Sequence, residues 1–421
     1  MISLRACCAL LMLFSTIAVS GEALAQTASA CIAAPPLPVS NKQKVINVKS
    51  NRQLQRAIRN IRDNTTILIS PGTYKLRSSI VIQADNVTIR GAANNCDSVH
   101  LVGPGMNKAR YGRVMNGFWV SGKNARIANL TISEIYYHTI TFDSAAQSPH
   151  IYNVRMINSG QQFVKVNPRG FGQGVNNGIV EYSIMEYTNG PSAIDRDNSG
   201  TGYTNGVDIH AGSGWRLSNN RFRNFHTPDN ADHLSNAAVL VWNGAKNTIT
   251  ENNVFIDVDR SIAYGLGNRK NDHSGGVIRN NMIIKTPGLY SDARRSRSDA
   301  SIIVWDSPGT KVVHNTVLTS GNTPKSIELR FDTSNVEVSN NITDAPIRHR
   351  DNKRFQAQSN LTNAKPNWFV HPPSGNLRLR QVTREVQDKV QRHPYAERDV
   401  DGAQRPSGQR VDLGADELLV Q

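Results

Sequence analysis

Charged and imidazole side chains alternate with apolar residues in two short segments, and this spacing is suited to proton transfer. Val164-Lys165-Val166 places a lysine between two valines, and Val207-Asp208-Ile209-His210 places a carboxylate and an imidazole two residues apart. Residues two apart in a strand share a face, so Asp208 and His210 are expected to point outward together while the apolar residues point inward. An imidazole titrates near neutrality and serves as an acid or a base. A neighbouring carboxylate favours its charged form.

Aromatic side chains recur at the position equivalent to that of His210. The segments Val239-Leu-Val-Trp242 and Ile302-Ile-Val-Trp305 each end in a tryptophan that is predicted to face outward in the same register. The flat apolar faces of these rings suit sugar rings. The predicted outer face also carries two polar candidates for substrate binding, which are Asn167 and Arg330. Strands stacked about 4.8 Å apart would line all of these side chains along one exterior strip.

Insertions beside the strip contribute further charged candidates. They carry Arg169, His233 and Arg269. Long insertions on one side of a repeat structure often build its binding face. A groove that combines cations with aromatic rings is suited to an acidic polysaccharide, either a polyuronic acid or a sulfated glycan.

These residue types suit the cleavage of a uronate chain by β-elimination. That reaction needs a base for the weakly acidic C5 proton, a cation beside the adjacent carboxylate, and an acid for the leaving C4 oxygen. The candidates for these functions are Lys165, His210, His233 and Arg269, with Asp208 beside the imidazole. Either Lys165 or His210 can be the base. Epimerisation at C5 starts with the same proton removal, so the sequence leaves both reactions open.

Two other function classes remain as alternatives. A glycoside hydrolase needs a pair of carboxylates, for which Asp208 with Asp229 or Asp232 is the nucleus in this chain. A secreted glycan-binding protein without activity is the third possibility. No cofactor is expected to be required. Asp195 and Asp197, in a Gly- and Asn-rich stretch, are candidate calcium ligands.

Two other clusters of charged residues are interpreted as structural or solvent-facing. Glu328 and Arg330 lie two residues apart on one predicted face and are expected to form an ion pair. The arginines Arg294, Arg295 and Arg297 are interpreted as a solvated basic loop.

A repeated pattern predicts the elements that position these residues. An apolar residue, an Asn-rich stretch and a second apolar residue five places on recur in Ile127–Ile132, Ile151–Met156, Leu217–Phe222, Ile249–Val254, Ile278–Ile283 and Val312–Val317. A second predicted strand lies at a constant distance before the Asn-rich segment. Val241 precedes Ile249 by eight residues, and Val304 precedes Val312 by eight residues. Short strands at such intervals predict the coils of a parallel β-helix, with asparagines stacked at a turn.

The two ends of the repeat region are predicted to be caps. Leu54, Ala57, Ile58 and Ile61 lie on one face of an amphipathic helix from about 51 to 62, which would cover the first coil. After about residue 365 the repeat fades, and this segment is expected to pack on the last coil. The predicted divisions are a signal peptide (1–25), an N-terminal extension (26–44), the β-helix (45–364) and a C-terminal cap (365–421).

Motifs at both ends resemble those of a known superfamily. The cap helix followed by Ile67-Leu-Ile-Ser-Pro-Gly-Thr-Tyr74, and the ending with Asp399-Val-Asp-Gly402, Arg405-Pro406 and Asp412-Leu-Gly-Ala-Asp-Glu417, resemble the pectate-lyase-like right-handed parallel β-helix superfamily. The resemblance implies an all-β, right-handed, single-stranded parallel β-helix with a helical N-terminal cap and a C-terminal cap. Polysaccharide lyases, uronan epimerases, glycoside hydrolases and proteins without known activity share that fold. The chain lacks a complete catalytic signature of any branch, so the resemblance assigns no active-site residue.

The N-terminus predicts export. Arg5, the apolar run 6–19 and Ala23-Leu-Ala25 have the order of a signal peptide, and no later apolar run is long enough to span a membrane. The mature protein is therefore expected in the periplasm or outside the cell. In that oxidising compartment the two remaining cysteines, Cys31 and Cys96, are expected to form a disulfide.

Composition restricts the partners. The 421-residue chain has a net charge of +15. A basic surface attracts nucleic acid, anionic membranes or acidic polysaccharides. Export makes nucleic acid a poor partner, so an acidic polysaccharide is favoured, bound by a monomer.

Overall fold

A computed structural model describes residues 31–39, 43–380 and 383–418 of the chain. The predicted signal peptide, residues 1–25, lies outside the described residues. The described part is a right-handed parallel β-helix, as predicted, with three faces of stacked strands. Each full coil of the β-helix contains three strands, one in each face.

The first two faces form one continuous sheet, because two long strands bend from one face into the other. Strands are numbered in chain order. The first face contains β1 (Lys44–Val48), β2 (Thr65–Ile69), β5 (Thr88–Gly91), β8 (Arg126–Ile135), β10 (His150–Ser159), β12 (Ile179–Glu181), β15 (Arg216–Ser218), β19 (Ile249–Glu251), β23 (Val277–Arg279), β26 (Lys311–Val313), β29 (Glu337–Ser339) and β32 (Gln356–Gln358). The second face contains the ends of β8 and β10 with β3 (Gly72–Lys75), β6 (Val99–Val102), β13 (Ile184–Glu186), β16 (Arg221–Phe225), β20 (Val254–Val258), β24 (Met282–Ile284), β27 (Thr316–Leu318) and β30 (Ile342–Thr343).

The third face is a separate ten-stranded parallel sheet. It consists of β4 (Ile80–Ile82), β7 (Phe118–Val120), β9 (Ile140–Phe142), β11 (Val164–Val166), β14 (Val207–His210), β17 (Ala237–Trp242), β21 (Arg260–Tyr264), β25 (Ala300–Trp305), β28 (Lys325–Arg330) and β31 (Ile347–His349). Outside the three faces lie two short strand pairs, β18 (Ala245–Lys246) with β22 (His273–Ser274) and β33 (Phe369–His371) with β34 (Asn376–Leu379). The longer loops leave the β-helix on either side of the third face, as the sequence predicted.

Stacked asparagines hold the turn between the first two faces. In successive coils the ladder runs through Asn220, Asn253, Asn281, Asn315, Asn341 and Asn360. Each Oδ1 accepts from the amide and the backbone N–H of the preceding asparagine. Residues just before the ladder, such as Asn252 and Asn280, have φ near +55°, a conformation that asparagine tolerates. The predicted asparagine ladder is therefore confirmed.

Removing one member of this ladder is expected to destabilise the β-helix strongly. Asn281 is fully buried and donates to Thr250 O while accepting from Asn253 N. Asn281→Ala would leave both backbone groups buried without partners, so we expect the free energy of unfolding to fall by about 3 kcal/mol. Urea denaturation measures this loss. Asn189→Ala, at an exposed position, is the control and should change stability little; equal stability of both variants would contradict the structural role of the ladder.

The N-terminal cap is present and slightly shorter than predicted. Helix α1 (Asn51–Arg59) begins after Ser50, whose hydroxyl accepts from Gln53 N, and it buries Leu54 and Ala57 on the first coil. The helix ends before Ile61, which still packs on the core. The predicted disulfide between Cys31 and Cys96 is also formed, with the two Cα atoms 5.6 Å apart.

The C-terminal segment packs on the side of the β-helix and not on its last coil alone. Phe369, Leu377 and Leu379 join a second apolar core with outward residues of the second face, among them Met282 and Ile284. The segment was predicted to pack on the last coil, and the structure shows that it also covers the outer side of the second face. The reason is that apolar residues stand on both sides of strands such as β24 (Met282–Ile284), so the outer side also needs cover.

No helix among the described residues is long and apolar enough to cross a membrane. Helix α2 (Asp292–Arg297), which the sequence did not predict, lies in an insertion beside the third face. Its Arg294 is buried and forms ion pairs with Asp229 and Asp259. The interpretation of Arg294 as part of a solvated loop is therefore wrong, because this side chain holds two insertions together.

Candidate active site

Strand register on the third face brings the main candidates together. Lys165 of β11 lies beside Asp208 of β14, and His210 of β14 lies beside Trp242 of β17. All four side chains point away from the core, whose side is filled by Val164, Val166, Val207, Ile209 and Val241. The outward register predicted from the alternation is therefore observed.

Lys165, Asp208 and His210 form a triangle of polar atoms. The Lys165 Nζ atom lies 2.6 Å from Asp208 Oδ2 and 2.8 Å from His210 Nε2. The third side, from His210 Nε2 to Asp208 Oδ2, is 3.1 Å. The carboxylate is fully buried, whereas the side chains of Lys165 and His210 are 16% and 14% exposed. Only the two nitrogen-bearing side chains can therefore be reached from outside.

The triangle favours one removable proton shared between two bases. If Lys165 and His210 were both protonated at these atoms, two donors would face each other at 2.8 Å. One charged and one neutral nitrogen satisfy the geometry, because the neutral nitrogen accepts while the carboxylate receives the remaining donor. The geometry therefore places one donor nitrogen and one acceptor nitrogen side by side beside the buried carboxylate.

Asp208 remains charged in this setting. Burial alone would raise the pKa of Asp208, but the charge of Lys165 and the contacts with His210 outweigh it and hold the pKa well below its usual range. The other carboxylate oxygen accepts from Trp242 Nε1 at 3.0 Å. The carboxylate thus fixes the lysine, the imidazole and the indole in one cluster.

Trp242 connects this cluster to a cation. The Arg269 guanidinium lies 4.4 Å from the centre of the Trp242 ring, within cation–π distance. The Arg269 side chain is 40% exposed, and its ion pair with Asp272 is long, at 3.7 Å. Asp272 in turn accepts from the backbone N–H groups of Leu266 and Gly267. The insertion is thereby folded so that Arg269 stays beside the triangle.

Two further titratable residues lie near the triangle, and the sequence alone did not predict a place for them there. His138 is buried, and burial together with the charge of Lys165 lowers its pKa to about 3, so its ring is neutral. Burial and the charge of Asp208 raise the pKa of Tyr203, which therefore stays protonated at neutral pH. Tyr203 lies in the insertion before β14, and the one sequence signal for it was its place among the polar residues of that loop.

Trp305 does not form an open platform for sugar. It is 7% exposed, because the guanidinium groups of Arg260, Arg330 and Arg350 lie 5.0–5.3 Å from its ring centre. A coil that the sequence did not predict, β21 followed by Gly265, also separates Trp305 from Trp242. The expectation of two exposed tryptophans in line is therefore wrong for Trp305, while Arg330 lies where it was predicted.

The ion pair expected between Glu328 and Arg330 is not formed. Glu328 pairs with Lys325 at 2.6 Å and with Arg350 at 2.9 Å, while Arg330 lies 3.9 Å from Asp351. Residues two apart in a strand share a face, but Glu328 pairs with Lys325 of its own strand and with Arg350, which follows the neighbouring strand β31.

The remaining candidates lie at the margins of the third face. His233 contacts Ser199 O, and its ring lies 5.1 Å from that of Tyr203. Asn167 follows β11 half-buried, and Arg169 is exposed beyond it. Neither Asn167 nor Arg169 forms a side-chain hydrogen bond or ion pair with another described residue.

The candidate calcium ligands use their carboxylates in other contacts. Asp195 Oδ1 accepts from Gly200 N, and Asp197 accepts from the Tyr137 hydroxyl. One acidic trio occurs in the described part of the chain, formed by Asp399, Asp401 and Asp416 in the C-terminal segment. Burial and its acidic neighbours raise the pKa of Asp416 to about 6. Arg378 already pairs with Asp401, so this trio has a cation of its own.

Comparisons with known proteins place this geometry in a fold class. No protein-family model and no curated protein matches the sequence. The structure is similar to that of pectate lyase Pel9A, with a TM-score of 0.52 and 12% identity over 89% of this chain and 96% of that one. It is similar to a rhamnogalacturonan lyase, with a TM-score of 0.52 and 10% identity over 79% of this chain and 94% of that one.

A third similar structure is alginate lyase from Paenibacillus sp. str. FPU-7, with a TM-score of 0.49 and 17% identity over 76% of this chain and 99% of that one. The chain has the pectate-lyase-like right-handed parallel β-helix fold, as the motifs at its ends suggested. Identities of this size show a shared fold, and one fold hosts many functions.

Proposed function

We propose that the chain is an exported enzyme that cleaves an acidic, uronate-containing polysaccharide by β-elimination. The triangle of Lys165, Asp208 and His210 carries this proposal, because it holds two basic side chains within hydrogen-bond distance of each other and of a buried carboxylate. It lies on a face bordered by insertions that carry exposed cations. These features match the needs of proton removal next to a carboxylate.

The proposed step assigns each function to a group of this face. The neutral nitrogen of the Lys165–His210 pair takes the C5 proton, the electron pair forms the C4–C5 double bond, and the C4–O bond breaks. Arg269 and Arg169 are placed to offset the charge of the sugar carboxylate. Tyr203 is the candidate acid for the leaving oxygen, because its phenol is protonated, is partly exposed and lies near Asp208 of the triangle.

The similar structures share the fold and are compatible with a lyase, and they leave the reaction and the substrate open. Pel9A and the rhamnogalacturonan lyase are lyases by name. Their low identity supports the fold alone, so the reaction rests on the triangle. We propose the periplasm or the extracellular space as its location, in keeping with the disulfide between Cys31 and Cys96.

Hydrolysis is less well supported by the carboxylates. Asp208 is buried in the triangle, Asp229 pairs with Arg294, and Asp232 accepts from Thr201. A hydrolase needs one carboxylic acid and one carboxylate that reach the glycosidic bond. Epimerisation at C5 remains the second candidate, because it begins with the same proton removal; a donor on the opposite side of the sugar ring would then have to supply the returning proton.

Products distinguish these reactions. We expect incubation with polygalacturonate, alginate and other uronate polymers to yield new ultraviolet absorbance from a C4–C5 double bond. Reducing ends without that absorbance would identify a hydrolase and contradict the proposal. A change in sugar configuration without chain cleavage would identify an epimerase. Binding without any product would leave only a glycan-binding protein.

Binding of the acidic polymer is expected to weaken with salt. Raising the ionic strength from about 0.01 M to about 1 M shortens the Debye length from about 30 Å to about 3 Å, which screens exposed cations such as Arg169. Affinity electrophoresis over this range measures the effect, with neutral dextran as the control polymer. Binding that is independent of salt would show that the net charge of +15 plays no part.

A further inference from the structure

A pocket at the N-terminal end of the β-helix is lined by four arginines. Its volume is about 490 Å³, and its lining residues are Asn51, Arg52, Gln55, Arg59, Arg77, Ser78 and Arg113. Helix α1 supplies the first four, and loops of the first two coils supply the rest. The pocket is separate from the triangle of Lys165, Asp208 and His210, and the proposed reaction does not use it.

The arginines of this pocket have no counter-charge in the described part of the chain. All four are exposed, and none of their guanidinium groups forms an ion pair or a hydrogen bond with another described residue. Of the residues that line the pocket, none is acidic. Like charges gathered in a concave site repel one another and raise the local concentration of anions. The pocket is therefore suited to an anionic ligand.

Two amide groups in the same wall lack partners. Asn51 Oδ1 and Gln55 Nε2 are buried, and neither has a hydrogen-bond partner. Buried polar atoms are normally satisfied by protein, water or ligand. An amide oxygen needs a donor and an amide nitrogen needs an acceptor. A uronic acid offers both, through its hydroxyl groups and its carboxylate, whereas a fully ionised phosphate offers acceptors alone.

The pocket opens at the start of the third face. Arg77 and Ser78 directly precede β4, and Ser79 N donates to Arg113 O at 2.9 Å. From β4 one row of outward residues leads to the triangle, because Val81 lies beside Trp119, Trp119 beside Thr141, and Thr141 beside Lys165. Three strand spacings of about 4.8 Å place the pocket end of this row about 14 Å from Lys165.

Side chains along this row suit a sugar chain. Val81 is 43% exposed, and Trp119 is partly exposed one strand further on, whereas Thr141, between Trp119 and Lys165, is buried. Apolar surface of this kind can cover the faces of sugar rings, while the carboxylates reach the cations at the end. A polymer that follows the axis of the β-helix would therefore contact the pocket, Val81 and Trp119, and would reach the triangle by passing over the residues that cover Thr141.

We propose that the four-arginine pocket is a second binding site for the acidic polysaccharide, which holds the chain several sugar units from the bond that reacts. This inference rests on the proposed function for the identity of the polymer. The site would favour long chains over short oligosaccharides, because a short fragment at the triangle cannot reach the pocket.

The double variant Arg77→Gln/Arg113→Gln tests the site. With polygalacturonate and alginate as probes, we expect the Kd for the polymer to rise about tenfold or more, while kcat and the affinity for a trisaccharide stay unchanged. The matched control is Arg221→Gln/Arg223→Gln, which removes the same charge from exposed positions on the second face. Its Kd for the polymer should change less than twofold.

Several outcomes would overturn the site. If both double variants raise the Kd for the polymer equally, the effect is due to net charge and not to this pocket. If neither double variant raises the Kd, the pocket does not bind the polymer. Full competition by inorganic phosphate would make it a phosphate site. If no uronate polymer is cleaved but Arg77→Gln/Arg113→Gln still loses polymer binding, the binding site is supported and the proposed β-elimination is contradicted.

Discussion

Lys165→Ala and His210→Ala are each expected to slow β-elimination by about 10²–10⁴-fold, the usual contribution of a positioned acid or base. The two nitrogens lie 2.8 Å apart and share one removable proton, so removing either one disturbs the protonation of the other. For the same reason the double variant should be little slower than the slower single variant. Initial rates of ultraviolet absorbance, measured at saturating polymer, give kcat for all three variants.

Controls separate the chemistry from folding. Lys123→Ala and His371→Ala alter exposed residues of the same types and should keep full activity. Near-ultraviolet circular dichroism should be unchanged in every variant. If His210→Ala keeps near-full activity while Lys165→Ala abolishes it, Lys165 alone is the base and the shared proton is wrong. If neither variant loses activity, the active site is not on the third face.

The sequence predicted the site where strand alternation decides which way a side chain points. Lys165, Asp208 and His210 each lie between inward residues, so their outward direction follows from a period of two. The adjacency of Lys165 and Asp208 was also predicted, even though the insertion 186–205 separates them in the chain. Strands of successive coils pair in the same way whatever the length of the loop between them. Lys165 and Asp208 are therefore paired in spite of the long insertion.

The sequence was less informative where packing depends on residues far apart in the chain. Strand β21 contains Arg260-Ser-Ile-Ala-Tyr264, which lacks the apolar pattern of its neighbours, so its coil was not predicted. The Asn-rich pattern aligned Ile249 with Leu217, but Thr250 lies beside Leu217 in the structure, and its hydroxyl forms a hydrogen bond with the Tyr264 hydroxyl. Tertiary partners override local patterns in both cases.

Contacts around Trp305 show the same difficulty for the site. The three arginines that cover its ring come from three different strands or loops, and Arg260 is fixed in turn by the buried Asp299. No local spacing predicts such a convergence. Trp242 is partly exposed, and its indole N–H donates to Asp208, an interaction that the sequence did not predict.

Asp208→Asn is expected to reduce both stability and activity. The variant keeps the shape of the side chain but leaves Lys165 without its buried counter-ion, and breaking such a pair costs about 3 kcal/mol at the lower end of the usual range, since Lys165 is partly exposed. Activity should fall by about 10²-fold or more, because the lysine and the imidazole lose the group that orients them. Asp292→Asn, at an exposed carboxylate, is the matched control and should lose neither.

The pH dependence of this loss follows from the lowered pKa of Asp208. The pKa of an aspartate in the unfolded chain is about 3.9, and that of Asp208 in the folded protein is lower still. The stabilisation by its charge is therefore fully present above a pH of about 4 and is lost as the pH falls through the folded pKa. Urea denaturation of the wild type and of Asp208→Asn should show a constant difference in unfolding free energy from about pH 5 to neutrality, and a shrinking difference below about pH 4. A difference that stays the same at about pH 3, or that is already zero at neutral pH, would show that the charge of Asp208 does not hold the triangle together.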